Sequence, residues 1–334
     1  MLKRSDVGFA ADPSRRGLLR AAIATAGMAA LGPARAQGAG YPKGPIRIIV
    51  GLPVGGSADV VVRATALQLE KSLKQPVLVE NRPGGQFAIA MQALASAPAD
   101  GHTILHIYNG FPATQATRKL FDLEKQTTAV AMTYSTPMVL MVRADSPYKT
   151  LGEAFAYARA NPGRLSYGVL GAAGLEHLKF AQIEKAAGFR GLSVPYKGGP
   201  DIVQALIAGD IDIAPAAAIF TKIHAGRVKA LAVLEPQRWR DLPDVPTLDE
   251  AGVKVDALSY WGGSVVRSGT PKEIVTLLSS ELAAATQSPA TIERLVATGH
   301  STRFSKSPDD FQQYIRSELV WMSEAAKLVE VPAN

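Results

Sequence analysis

The sequence contains no cysteine. That absence excludes a disulfide, a thiolate nucleophile, a cysteine-ligated metal and a lipid anchor on cysteine, and singles out no compartment. After the N-terminal segment, no apolar run reaches the ~20 residues of a membrane-spanning helix, the pattern of a free soluble protein. Histidine is sparse: His102, His106, His177, His224 and His300. No H-E-x-x-H and no clustered set of Asp, Glu and His appears, so no metal site is expected. His102 and His106 fall in one expected strand, where positions i and i+4 stand roughly 13 Å apart, too far for one zinc. His177, near an expected helix start, reads as a capping or packing residue. A Walker loop, a G-x-G-x-x-G turn and a G-x-S-x-G elbow are all missing, which argues against a P-loop enzyme, a dinucleotide-binding fold and an α/β-hydrolase.

What is present is a core. Hydrophobic residues make up 47% and charged residues 19% of 334 residues, enough for one large domain or two medium ones. The first 36 residues read as a leader. Basic residues precede a weakly apolar stretch, Ala21–Leu31, and Ala34-Arg35-Ala36 supplies a cleavage site before Gln37. Ser14-Arg15-Arg16-Gly17-Leu18-Leu19-Arg20 is similar to a twin-arginine export signal, an ordinary secretory leader being the alternative. The leader carries six basic and two acidic residues, so its removal lowers the formal charge from +7 by 4 to +3. That is no nucleic-acid footprint, and it mildly favours small anions.

The rest alternates strand-like and helix-like pieces. Expected strands are Ile46–Val50, Val77–Glu80, Thr103–Ile107, Met138–Val142, Leu165–Val169, Leu192–Tyr196, Ile211–Ala214 and Val228–Val233. Their apolar runs suit strands buried on both faces, in parallel sheets covered by helices. Thr150-Leu-Gly-Glu153 and Thr270-Pro-Lys-Glu273 read as capping boxes, and the first helix should stop near Asn161-Pro162-Gly163. The strands outnumber what one such sheet needs, so two α/β domains are expected. The runs Met138–Arg143 and Tyr260–Val266 are the candidate crossings between them. Tyr260 and Trp261 read equally as cleft wall or interdomain core.

Gly55-Gly56-Ser57-Ala58 follows the first strand and opens a helix. Glycines let backbone N–H groups approach a ligand, and a helix N-terminus favours an anion there. Asp59 and Arg63, one turn apart, read as an i,i+4 ion pair fixing the first turn. Tyr108 and Asn109, just past the third strand, are further candidates for a cleft wall.

The segments "YPKGPIRIIVGLPVGGSADVVVRA", "VENRPGG" and "PADGHTIL", with "VPYKGGPDIVQALIAGDIDIA" and "YWGGSVVRSGTPKEIV" after them, resemble the Bug family of substrate-binding proteins of tripartite tricarboxylate transport systems. The resemblance covers nearly the whole chain after the leader. It implies an α/β fold: a two-domain type II periplasmic binding protein, or Venus flytrap. The expected division is 37–140 plus 263–334 for one domain and 141–262 for the other. It also implies a small carboxylate ligand held by two loops, one from each domain. The first loop maps onto Gly55, Gly56, Ser57 and Ala58. The second maps onto Val169, Leu170, Gly171, Ala172, Ala173 and Gly174, where the family's usual hydroxyl is replaced by Val169 and Leu170. After "DIDIA" the family often has Phe-Asp, whereas this chain has "PAAAI" with Ala216. Both changes suggest a less polar ligand, an aromatic or aliphatic carboxylate, and the lack of an acid to meet an amino group. The alternative is that polarity enters elsewhere, through Tyr108, Asn109, Tyr134 or Lys197. The resulting expectation is a periplasmic, monomeric solute-binding protein without catalysis or cofactor, contacting membrane transporter subunits transiently. A sensor for a membrane receptor and an exported enzyme on the same fold are the rival readings.

Overall fold

The computed structural model describes residues 40–330, apart from Gly56, Gly171, Ala172, Lys197, Thr298 and Gly299. The segment read as a leader, residues 1–36, with the twin-arginine-like stretch expected in it, lies outside the described residues.

Three short strands open the fold: β1 (Ile46–Val50), β2 (Val77–Asn81) and β3 (Thr103–Tyr108). β1 lies between the other two and pairs in parallel with both. Its Ile46, Ile48, Ile49 and Val50 are buried, as a central strand covered on both faces requires. The crossovers are α1 (Ser57–Leu73) and α2 (Ala88–Ala95). A third helix, α3 (Gly110–Arg118), follows β3 directly, and the single turn α4 (Leu123–Gln126) precedes the next strand.

That strand, β4 (Thr127–Arg143), and β9 (Ser259–Arg267) organise the molecule. β9 runs antiparallel between β3 and β4. β4 follows β9 as far as the pair Pro137–Ser259, and from Met138 onward it pairs with β7 (Ala214–Ala217) and β8 (Val228–Val233) instead. The exchange falls at a proline, which has no N–H for a ladder. The Pro137 carbonyl accepts from Ala218 N–H at 2.8 Å, and the Met138 carbonyl from Leu234 N–H at 2.8 Å. One strand thereby belongs to two sub-sheets.

Beyond it, α5 (Leu151–Ala160), β5 (Ser166–Leu170), α6 (Leu175–Ala187), β6 (Leu192–Tyr196) and α7 (Gly199–Ala208) repeat the parallel pattern. The turn α8 (Phe220–Ile223) leads into β8. The chain ends with α9 (Lys272–Thr286), α10 (Pro289–Ala297), the short β10 (Ser301–Thr302) and α11 (Pro308–Ala326). α11 buries Phe311, Ile315, Leu319 and Met322. Its Glu318 accepts from the indole N–H groups of Trp261 and Trp321 at 2.9 and 2.8 Å.

Three expectations change. The sheets are mixed, because strands that run out to the second half and back must pair antiparallel. The expected strand Ile211–Ala214 is displaced to Ala214–Ala217: Ile213 makes an isolated bridge to Tyr167, and the Asp212 carboxylate accepts from Ser166 N–H and Oγ–H, both at 2.8 Å. At α9 the capping box does not form. Pro271 occupies the cap, and the Thr270 hydroxyl donates to the Arg267 carbonyl at 2.8 Å. At α5 half of it forms: Thr150 Oγ1 accepts from Glu153 N–H, while the Glu153 carboxylate accepts from Lys149 N–H, one residue before the cap, at 2.7 Å. That helix ends at Asn161, as expected.

Candidate functional site

The end of β3 and the start of α6 face each other across a cavity of about 340 Å³. From the first half come Tyr108, Asn109 and Gly110, with Phe87 above them; from the second come Leu170, Ala173, Gly174, Leu175 and Glu176; Tyr260 of β9 closes the space between. Thr114, Thr117 and Arg118 of α3 complete one flank.

Two helices begin on this cavity. α3 starts at Asn109 and α6 at Gly174, and neither N-cap residue caps its helix by a side chain, though the Glu176 carboxylate takes one first-turn N–H of α6. An uncapped helix start presents N–H groups and roughly half a positive charge. Asn109 is wholly buried. Its Nδ2 donates to the Ser259 carbonyl at 2.7 Å, while its Oδ1 has no partner. Ala173 holds a left-handed φ of 58°, and its N–H donates to His177 Nδ1 at 3.0 Å. His177 therefore braces the loop, the local role expected for it. The acceptor must be a neutral imidazole, and burial lowers the His177 pKa accordingly.

Glu176, in the first turn of α6, is 1% exposed. It accepts from the Tyr260 hydroxyl, from Leu170 N–H at 3.4 Å and from its own backbone N–H. Burial raises its pKa against the opposing pull of these bonds. Burial, then the nearby Glu176 carboxyl, keeps the Tyr260 phenol protonated; burial, then Tyr134 and Glu176, does so for Tyr108. Above the cavity Gln86 and Phe87 both hold positive φ, 50° and 71°, which L residues adopt at a cost. The strain sets the Phe87 ring against Phe111, stacked at 4.5 Å, and edge-on to Tyr108 at 5.2 Å.

The expected site residues fall into separate groups. Tyr108, Asn109, Leu170, Ala173 and Gly174 come together on the cavity wall. Gly56, Gly171 and Ala172 lie outside the described residues, as does the side chain of Ser57. Gly55 and Ala58 do not line the cavity. Gly55 is exposed at φ 86°, and its N–H donates to Asp59 Oδ2 at 2.9 Å. Asp59 also accepts from Arg63 Nε at 3.0 Å and Asn81 Nδ2 at 2.9 Å. Burial raises its pKa, but these bonds and the Arg63 charge bring it below the usual carboxylate range. The i,i+4 ion pair is present, and its carboxylate takes the Gly55 N–H that an anion was expected to take. Ala58 packs inward from α1, 6% exposed.

Val169 and Ala216 are core residues, 1% and 2% exposed, and form no cavity wall. Side chains alternate along a strand, so Val169 shares the inward face with Tyr167, and only Leu170 turns toward the cavity. Tyr134 is buried against His106, and Lys197 lies outside the described residues. Trp261 is core and Tyr260 is cavity wall, so neighbours in sequence divide the two readings.

Glu176 is the residue that sequence reasoning missed. An acid was sought after "DIDIA" and found absent there; the structure supplies one from α6. Its signal was a lone acid inside "GLEHL", at the second position of a helix with no side chain at its cap. Among the described residues no group of three or more His, Cys, Asp or Glu side chains is placed to hold a metal ion.

Residues 61–327 match the family model described as tripartite tricarboxylate transporter family receptor, TctC. Protein BugT of Bordetella pertussis is 33% identical over 305 residues, covering 89% of this chain and 91% of BugT. Among solved structures, Rpa4515 of R. palustris with adipate superposes with a TM-score of 0.74 at 29% identity, over 86% of this chain and 98% of that one. MatC of Rhodopseudomonas palustris with bound malate gives a TM-score of 0.72 at 26% identity, over 86% and 100%. The α/β architecture is thus the two-domain periplasmic solute-binding fold. The chain belongs to the tripartite tricarboxylate transporter receptor family, and it is a solute-binding protein.

Proposed function

We propose that the chain captures a small carboxylate in the cavity between β3 and α6 and presents it to transporter subunits, without catalysing a reaction. The observation that carries this reading is the convergence of two uncapped helix starts, one from each half, on a single cavity. Helix starts attract anions through unpaired N–H groups and the helix dipole. Adipate and malate, bound by two relatives, are small carboxylates, which supports a small carboxylate here. The two halves correspond to 37–140 with 263–334 and to 141–262. The exchange of partners along β4 at Pro137–Met138 supports that division. The leader, residues 1–36, directs export to the periplasm, where a carboxylate-laden monomer meets its membrane partner.

Thermal unfolding tests the reading. A ligand bound only to the folded state raises the melting temperature by mass action, about 2.7 kcal/mol at a hundredfold excess over Kd. In a panel of mono-, di- and tricarboxylates at millimolar concentration, at least one acid is expected to raise it by several degrees. A melting temperature unmoved by every acid would refute carboxylate capture.

A further inference from the structure

The carboxylate reading leaves part of the cavity wall unused, and the inference that follows rests on that reading. Two residues of the cavity wall carry buried oxygen acceptors to which no cation is bonded. Asn109 is the first. The Ser259 carbonyl can accept only a donor, so Nδ2 must point to it and Oδ1 must be the group left over. That Oδ1 is buried and has no partner. A buried polar atom without a partner calls for one, and at a cavity wall the occupant supplies it.

Glu176 is the second. Its carboxylate is held by a phenol and two backbone N–H groups, all of them neutral. A buried carboxylate is costly unless a cation pairs with it, and without one its pKa rises toward the neutral form; a bound ammonium holds it ionised. The two acceptors sit at the heads of the two helices, Asn109 at α3 and Glu176 in the first turn of α6. Tyr108 and Tyr260 line the same space, and aromatic rings attract cations.

We propose that this cavity selects a small carboxylate that also carries an ammonium group, with Glu176 and Asn109 Oδ1 as the acceptors for the amine. An ammonium brings three N–H donors and one positive charge. Those donors satisfy the orphan amide oxygen, and the charge neutralises Glu176. The ligand's carboxylate is left for the helix starts. A plain dicarboxylate would instead set a second negative charge against Glu176, which disfavours it by like-charge repulsion.

Isothermal titration of the full protein with two matched series tests this. One is succinate, malate and aspartate; the other is adipate, 2-hydroxyadipate and 2-aminoadipate. Within a series only the substituent at C2 changes. The amino member is expected to bind at least tenfold more tightly than the plain acid at the chain length the cavity accepts. E176Q, with its fold checked by thermal melting, is expected to cut that ratio at least tenfold and to improve binding of the plain acid. Plain or hydroxy acids that match the amino acid in the native protein would overturn the ammonium assignment while leaving carboxylate capture standing. An unchanged ratio in folded E176Q would do the same. Binding by no member of either series, together with a melting temperature unmoved by every mono-, di- and tricarboxylate of the wider panel, would overturn carboxylate capture itself, whereas a plain mono- or tricarboxylate as the only acid to raise it would overturn the ammonium assignment alone.

Discussion

His106 and His300 flank the ring of Tyr134, at centroid distances of 5.6 and 4.6 Å. His106 Nε2 and the Tyr134 hydroxyl are 3.0 Å apart, and His300 Nδ1 meets the Thr136 hydroxyl. Burial, and for His106 the charge of His300 as well, lowers their pKa values to about 3 and about 4. Both imidazoles are therefore neutral in the folded protein at neutral pH. The unfolded chain takes up a proton at each near pH 6.5, while the folded chain resists until pH 4 or below. Each ring thus contributes no penalty above about pH 6.5, and below it removes stability at about 1.4 kcal/mol per pH unit. Proton NMR of the imidazole rings is expected to show no inflection for either between pH 8 and pH 5. An inflection near 6.5 at either ring would contradict the buried, neutral pair. Sequence reading placed His102 and His106 on one strand, whereas β3 begins at Thr103, after His102. It had no means to join His106 to His300, because their meeting depends on β10 reaching β4 from the far end of the chain.

At the scale of elements, strand identity was readable where apolar residues run together. Ile46–Val50, Leu192–Tyr196 and Val228–Val233 form strands with the expected bounds. The first part of β4 was not readable, because threonines and Tyr134 interrupt its apolar pattern. Those polar groups find partners across strands: the Thr133 hydroxyl donates to the Gly262 carbonyl at 3.2 Å. β9 carries Gly262 and Gly263 where Tyr134 and Phe311 press on its backbone. A Cβ at Gly263 would meet the Phe311 ring and would lie 2.6 Å from the Ala131 carbonyl oxygen. The ring can shift; the carbonyl, part of the β4 ladder, resists. Gly263→Ala is expected to destabilise the fold by about 1–3 kcal/mol through overpacking, measured by urea unfolding. A loss below about 0.5 kcal/mol would show that β9 yields at this point.

At the scale of the molecule, the leader-like segment and the cleft differ in what builds them. Arg15 and Arg16 belong to a motif read linearly, so it can be tested without any fold. Arg15→Lys together with Arg16→Lys is expected to abolish export, followed as protein recovered from the periplasmic fraction. Undiminished recovery would contradict the twin-arginine route. The cleft, by contrast, is assembled from segments far apart in sequence: Asn109 bonds to Ser259, 150 residues away, and Tyr260 to Glu176, 84 residues away.

The sequence by itself determined the alternation of strands and helices, the two-domain class, the family and the brace at Asp59 and Arg63. These rest on local patterns: apolar runs, i,i+4 spacing and motifs in a given order. The tertiary structure decided which side chains face the cavity. Val169 and Leu170 are adjacent, yet the alternation of the strand sends one to the core and the other to the wall. Glu176 enters the site because α6 begins at the cavity's edge, and Asp59 closes on Gly55 because the turn folds back onto its own helix. Facing is a property of register and packing, and neither is written in the identity of a residue.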